Sequence, residues 1–305
     1  MNGLIVIDKP PGLTSHDVVL AVRRLINGEK TGHCGTLDPD ATGVLLVTVG
    51  KATHLFPFLS GQDKTYQGTI RFGFSTDTYD ASGRPTSPES PDCPDENEIR
   101  GAMRKFEGRI SQIPPLFSAK KRGGQPSYKL VRADKGTILK AQEVTVRRFE
   151  LEAVRPPLAD FTAECSSGTY IRALAHDLGS LLGCGAHLAG LRRTVSGDFG
   201  LADAHTIDEV RSRAKTGDWQ RLVIPIEELL PRLQEIQLDV EGEERARHGN
   251  RILPGHVLAL PNACPDVSPG KDPVFRLVAR DGRLLALAMP SHDGKGFSPF
   301  LVLSD

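Results

Sequence analysis

Apolar and polar residues alternate along this chain with two different periods, and the switches between them mark out its elements. Leu4 to Ile7 is a short apolar run that predicts a strand, followed by the turn Lys9-Pro10-Pro11-Gly12. Val18, Val19, Val22, Leu25 and Ile26 then recur at helical spacing. They stand behind Thr14 and Asp17, a capping-box pair, and Gly28 predicts the stop. Val44 to Val49 reads as a second apolar strand and Ala52 to Leu59 as a helix. Beyond it, Tyr66, Gly68, Ile70, Phe72 and Phe74 alternate with Thr65, Gln67, Thr69 and Arg71. That period of two predicts a strand with one buried face and puts Tyr66 on it.

Ser87 to Pro94 reads as an exposed loop, and Ile99, Met103 and Phe106 share one face of a helix. A breaker-rich loop, Gln112 to Gln125, leads into a short basic helix near Tyr128 to Asp134. Strands follow near Glu143 to Val154 and Asp160 to Cys165, then a turn at Ser166 to Thr169, a helix from Tyr170 to Leu182 and a strand near Leu188 to Val195. Thr206 and Glu209 give a second capping-box spacing before another helix. Strands and helices alternate without repeated βαβ units, so the expected fold class is α+β with a central mixed, largely antiparallel sheet. The last seventy or so residues differ. A short helix, Glu243 to His248, ends at Gly249, and Arg280-Asp281-Gly282-Arg283 joins two apolar runs, Val274 to Ala279 and Leu284 to Ala288, as a hairpin. The expected division is a large domain over 1–232 and a small β-rich domain over 233–305.

Composition narrows the class. At 305 residues, with 39% hydrophobic and 25% charged, the chain suits one large and one small globular domain. It has no apolar run of about eighteen residues and no basic segment ahead of an apolar one at its start, so neither a membrane span nor a signal peptide is expected, and the expected location is cytoplasmic. Five cysteines, odd in number and without a CxxC pair, argue against a disulfide framework and against zinc. The 38 basic and 38 acidic groups cancel, yet Lys120 to Arg148 holds nine Lys or Arg against Asp134 and Glu143, offset by acidic stretches at Glu89 to Glu98 and Glu227 to Glu244. A local basic patch on a neutral protein suits a limited phosphate surface; the plain alternative is a solvated, charge-rich face.

Two segments could carry chemistry. In Thr31-Gly32-His33-Cys34-Gly35-Thr36-Leu37-Asp38-Pro39-Asp40-Ala41-Thr42-Gly43, glycines, a proline and hydroxyls make a loop of defined shape. Asp38 precedes a proline, which biases it to extended backbone. It is either a turn-closing Asp or a reactive carboxylate. A His33–Cys34 nucleophile pair is disfavoured, because adjacent residues on an extended loop point apart. In Ser166-Ser167-Gly168-Thr169-Tyr170-Ile171-Arg172, Arg172 falls in the first turn of a helix, where a cation opposes the macrodipole and calls for an anionic partner. It is either a structural ion pair or the guanidinium that keeps an active carboxylate ionised. His176 and Asp177 read as ordinary helix-face residues, and no ligand set suggests a metal.

Seven strings in order across residues 4–193 sharpen the choice. They are Leu4 to Pro10; Gly32-His33-Cys34-Gly35-Thr36-Leu37-Asp38-Pro39; Lys64-Thr65-Tyr66; Thr76 to Gly83; Pro114 to Lys121; Ser167 to Arg172; and Gly183 to Leu188, running on to Leu191-Arg192-Arg193. Together they resemble the TruB-type tRNA pseudouridine synthases, which isomerise uridine 55 in the T-loop. The resemblance implies the pseudouridine synthase fold, with a PUA-like RNA-binding module at the C-terminus that is matched only loosely. It further implies that Asp38 is the nucleophile, paired with Arg172 and, through it, with Asp80. Tyr66 would stack on the target base and assist proton removal from C5. Tyr170 and Leu191 would line the pocket, and Lys9 and Pro10 would support it.

By the same resemblance His33 would fill the space left by a flipped-out uridine. The basic insertion of about 120–142, Lys121 included, would grip the RNA. The partner would be the T-loop and T-stem of tRNA, bound by a monomer with no obligatory protein partner. No cofactor is chemically required, and the chain has no GxxxxGK phosphate loop. Two rivals stay in view: a guide-RNA-dependent, dyskerin-like synthase, disfavoured by the absence of lysine-rich tails, and a non-catalytic tRNA-binding chaperone, which would lack Asp38 or Arg172.

Overall fold

The computed structural model describes residues 1–115, 121–122, 125–126, 140–259 and 273–304. The strands among them are β1 (Gly3–Lys9), β2 (Thr31–Cys34), β3 (Thr42–Val49), β4 (Lys64–Phe72), β5 (Gly108–Gln112), β6 (Lys121–Arg122), β7 (Gln125–Pro126), β8 (Gln142–Arg155), β9 (Leu158–Cys165), β10 (Ala186–Ser196), β11 (Phe199–Gly200), β12 (Ile224–Pro225), β13 (Gln234–Leu238), β14 (Val257–Ala259), β15 (Phe275–Val278), β16 (Leu284–Pro290) and β17 (Phe297–Val302). A ten-stranded sheet runs β12-β1-β3-β10-β4-β9-β8-β5, with β2 added to β3 and β11 to β10. Its pairs are antiparallel except β3 with β10. A second sheet, β14-β13-β15-β16-β17, holds one parallel pair, β13 with β15. The fold class is therefore α+β with a mixed, largely antiparallel sheet.

Local chemistry explains the elements. Helix Ser15–Leu25 opens on the expected capping box: Thr14 accepts from the Asp17 N–H, and the Asp17 carboxylate accepts from the Thr14 N–H. Its buried stripe is Val18, Val19 and Val22. On β4, Tyr66, Ile70 and Phe72 are buried and Gln67 is exposed, as the period of two requires. The segment read as one helix over 52–59 is a 3₁₀ turn, Gly50–Leu55, running into the short α-helix Phe56–Ser60. At Thr206 only half of the expected box forms. Thr206 caps the Glu209 N–H of helix Ile207–Thr216, while the Glu209 carboxylate turns 3.4 Å from His205 Nδ1.

The main core lies between the large sheet and its helices and includes Ile5, Ile7, Val22, Leu45, Phe72, Phe161, Leu174 and Leu178. A second core joins the two sheets: Leu4, Val6, Leu46 and Leu55 pack with Val278, Leu284, Leu287 and Leu303. The expected short basic helix near Tyr128 to Asp134, and the side chains of the basic insertion up to residue 139, lie outside the described residues.

Candidate active site

Four separate elements converge on one cavity of about 500 Å³. The loop between β2 and β3 brings Asp38, β4 brings Tyr66, the start of helix Ile171–Leu181 brings Tyr170 and Arg172, and β10 brings Leu191. The volume is ordinary for a small-molecule or single-nucleotide site.

The Asp38 loop is held from below. Buried Ser15 accepts from the Leu37 N–H at 2.8 Å and donates to the Leu37 carbonyl at 3.1 Å. The Lys9 ammonium, fully buried, donates to the carbonyls of Pro10, Leu13 and Pro39 at 2.9, 2.6 and 2.8 Å. Burial pushes that amine below the usual lysine range. Lys9 and Pro10 thus lie under the loop and outside the cavity lining.

Arg172 is the hub. Its Nε lies 2.9 Å from Asp38 Oδ2 and its Nη2 donates to Asp38 Oδ1 at 3.2 Å, a two-point pairing. Nη1 donates to Asp80 Oδ2 at 3.2 Å and to the Thr78 carbonyl at 3.1 Å. The Arg172 side chain is 8% exposed and that of Asp38 43%, so the cation is locked away while the carboxylate faces the cavity. Burial raises the Asp38 carboxyl above its ordinary range, the Arg172 charge opposes that rise, and the Asp80 charge adds to it. Asp80 is itself fixed: its Oδ1 accepts from Thr78 Oγ1, Ser82 N and Ser82 Oγ. Its loop is pinned to β10 by Ala81 N–H donating to the Leu188 carbonyl and Leu188 N–H to that of Tyr79. Asp80 lines a second cavity of about 430 Å³ that shares Asp38, Arg172 and Leu191 with the first.

Gln112 locks the turn before Arg172, donating to the Tyr170 carbonyl and accepting from its N–H. His176 stacks on Tyr79, ring centroids 3.8 Å apart. His33 sits on β2 opposite Val47, outside the cavity lining, its imidazole held below the usual range by burial and the Arg193 charge. Cys34 is fully buried with its thiol pushed up to about 12, which ends the cysteine-nucleophile alternative. Lys121 is outside the described side chains.

Two charged lining residues, Lys64 and Arg193, have no role assigned from the sequence. Both are buried cations. A signal was present: Lys64 shares the apolar face of β4 with Tyr66, and Arg193 stands two residues from Leu191.

The N-terminal domain of TruB family pseudouridylate synthases matches residues 23–171, and the C-terminal domain of tRNA pseudouridylate synthase B matches 172–231. The tRNA pseudouridine synthase B of Geobacter sulfurreducens is 43% identical over 249 residues, 82% of each chain. That of Solibacter usitatus is 41% identical over 287 residues, 94% of this chain and 95% of the other. Among solved structures, an H/ACA RNP bound to a substrate RNA containing 2′-deoxyuridine superimposes with TM-score 0.76 at 25% identity, covering 99% of this chain and 85% of that one. The chain belongs to the TruB family of pseudouridylate synthases.

Proposed function

We propose that this protein isomerises uridine 55 to pseudouridine in the T-loop of tRNA, acting alone, with Asp38 as nucleophile. The observation that carries this reading is the two-point Asp38–Arg172 pair facing a nucleotide-sized cavity that Tyr66 also lines. Substrate and product are isomers. The C1′–N1 bond breaks, the base turns, C5 joins C1′, and the C5 proton leaves while N1 gains one. A charged carboxylate beside the ribose is what the first step needs, and a guanidinium that keeps it charged at neutral pH supports it.

A uridine inside a folded loop must be extruded to reach this cavity. In this reading Tyr66 stacks on the extruded base and takes part in removing the C5 proton. Tyr170 and Leu191 flank it, Asp80 aligns Arg172, Lys9 and Pro10 hold the Asp38 loop, and His33 occupies the gap in the RNA. Residues 1–232 form the catalytic domain. The basic insertion of about 120–142, with Lys121, grips the phosphates, and the PUA-like unit 233–305 binds RNA. The stand-alone reading rests on the 41–43% identity to tRNA pseudouridine synthases B, against 25% to the H/ACA structure. The protein is read as a cytoplasmic monomer.

The test is to map pseudouridine in an unmodified tRNA transcript after incubation with the purified protein. Modification at position 55 is expected without guide RNA, nucleotide or added metal. Modification elsewhere, or only with a guide RNA present, would contradict the reading.

A further inference from the structure

The cavity has two electrostatic ends. Asp38 and Arg172 make one, with Asp80 behind Arg172. The other is built from Tyr66, Lys64 and Arg193, of which the two cations are unused in the mechanism above.

Arg193 is the more unusual of the two. It lies directly opposite Tyr66 in the β4–β10 register, so their side chains leave the same face of the sheet. It is 1% exposed, among the largest fully buried side chains of the described residues. Its Nε donates to the Val44 carbonyl at 2.7 Å and its Nη2 to the Gly35 carbonyl at 3.0 Å, and it lines the same cavity as Tyr66. Among the described residues no carboxylate forms an ion pair with it. Lys64 close by donates to the carbonyls of Ser60 and Gln62 at 2.6 and 2.5 Å, and burial together with the Arg193 charge lowers its amine to about 8. The chain flanking Asp38 approaches Arg193 closely at two glycines, once at its side chain and once at its main chain. A Cβ on Gly35 (φ +92) would lie 3.4 Å from Arg193 Nη1, and one on Gly43 (φ +95) would collide with the Arg193 carbonyl at 2.2 Å.

Burying a cation against neutral carbonyls is strongly unfavourable, and neutral donors could tie Gly35 to Val44 without it. Such a charge makes sense where negative charge appears during the reaction. The candidate is the Tyr66 phenol, on the same sheet face in the opposite register position. Burial pushes the Tyr66 phenol above its usual range, and the Arg193 charge pulls it back.

We propose that Arg193 is a positioning residue for the proton transfer at C5: aligned with Tyr66 across β4 and β10, its guanidinium fixes the phenolic oxygen and stabilises it when it carries negative charge. In that step the Tyr66 phenol first gives its proton to solvent water; the C5–H bond then breaks, its electron pair returns to the pyrimidine ring as N1 takes a proton from water, and the C5 proton passes to the Tyr66 oxygenate, regenerating the phenol. The proposal rests on the isomerase reading, in which Tyr66 serves that step.

The test uses the full chain with carbon-13 at Cζ of its four tyrosines, Tyr66 being assigned through Tyr66→Phe. In Arg193→Met the Tyr66 resonance is expected to titrate about one pH unit higher than in the wild type. Tritium release from C5 of uridine should slow at least tenfold with KM for tRNA unchanged. Cleavage of the C1′–N1 bond in a 5-fluorouridine transcript, where no C5 proton is present, should keep its wild-type rate. Arg193→Lys, which keeps the charge and loses the fork, should show the same pattern with smaller shifts, and it carries the test if the methionine variant does not fold.

An unchanged Tyr66 midpoint overturns the proposal, as does equal slowing on both transcripts, which is what a merely structural role would give. The titration needs no turnover. It therefore judges Arg193 even if the wild-type protein releases no tritium, a result that would count against the isomerase reading.

Discussion

Asp38 and Arg172, 134 positions apart in sequence, meet edge to edge, with both nitrogens on one side of the guanidinium fork facing both carboxylate oxygens at 2.9 and 3.2 Å. The pairing fixes the direction in which the carboxylate presents itself as well as its charge. Arg172 is in turn held by Asp80, so the carboxylate that faces the cavity is backed by a guanidinium with a second carboxylate behind it.

Activity that needs the Asp38 carboxylate must fall as pH drops through its pKa. Burial holds that pKa above the ordinary carboxylate value, so the acid limb of kcat/KM should lie above it too. The Arg172 charge is the main influence that lowers that pKa. Arg172→Ala should therefore move the acid limb to still higher pH and lower kcat/KM near neutrality by about 100-fold, about 2.7 kcal/mol. A pH–rate profile of the variant with an unmoved acid limb would show that the pair does not govern the carboxylate.

Tyr66→Phe keeps the ring and removes only the oxygen. Stacking on a base is worth roughly 1–3 kcal/mol and should survive, so affinity for tRNA should change less than threefold. Release of C5 tritium should drop by at least two orders of magnitude. Loss of binding instead of turnover, measured by filter retention, would assign Tyr66 to recognition rather than to the proton step.

Ser15 supports the site from the first helix. Ser15→Ala removes both hydrogen bonds to Leu37 and leaves a buried N–H unmatched, which should cost about 1–3 kcal/mol in urea unfolding. Because Leu37 adjoins Asp38, kcat should fall as well. A stability loss with kcat unchanged would separate the loop's anchoring from its function.

Lys121 belongs to the basic insertion. Lys121→Glu should weaken tRNA binding and flatten the plot of log K against log salt by roughly one phosphate's worth, about 0.7–0.9 in slope. The same slope in variant and wild type would remove this residue from the interface.

The sequence made the elements legible wherever local pattern decides them. The Thr14 box, the alternation around Tyr66 and the hairpin at Arg280 to Arg283 are short-range signals, and the structure has each of them. Strand β5 was not legible. Gly108–Gln112 carries one large apolar residue, Ile110, and forms at the sheet edge by pairing with β8, a partner more than thirty residues on. Glu209 shows the reverse: the spacing for a box is present, but His205 draws the carboxylate away.

The site was half legible. A cation in the first turn of a helix demanded an anion, and Arg172 has two, but residue spacing could not say which two. Only the family resemblance linked it to Asp38 and Asp80. Arg193 and Lys64 escaped because a charged residue on a strand is read as solvent-facing by default. The alternation along β4 does put Lys64 on the face of Tyr66, but the place of Arg193 opposite Tyr66 follows from register across β4 and β10, which local pattern does not encode.

The most direct measurement is tritium release from an unmodified tRNA transcript labelled at C5 of uridine, comparing the wild-type protein with Asp38→Asn. Stoichiometric release by the wild type and none by the variant, with tRNA affinity preserved, is the expected result. Release at the wild-type rate from the variant would contradict the account, because everything argued for the cavity depends on the charge of that one side chain.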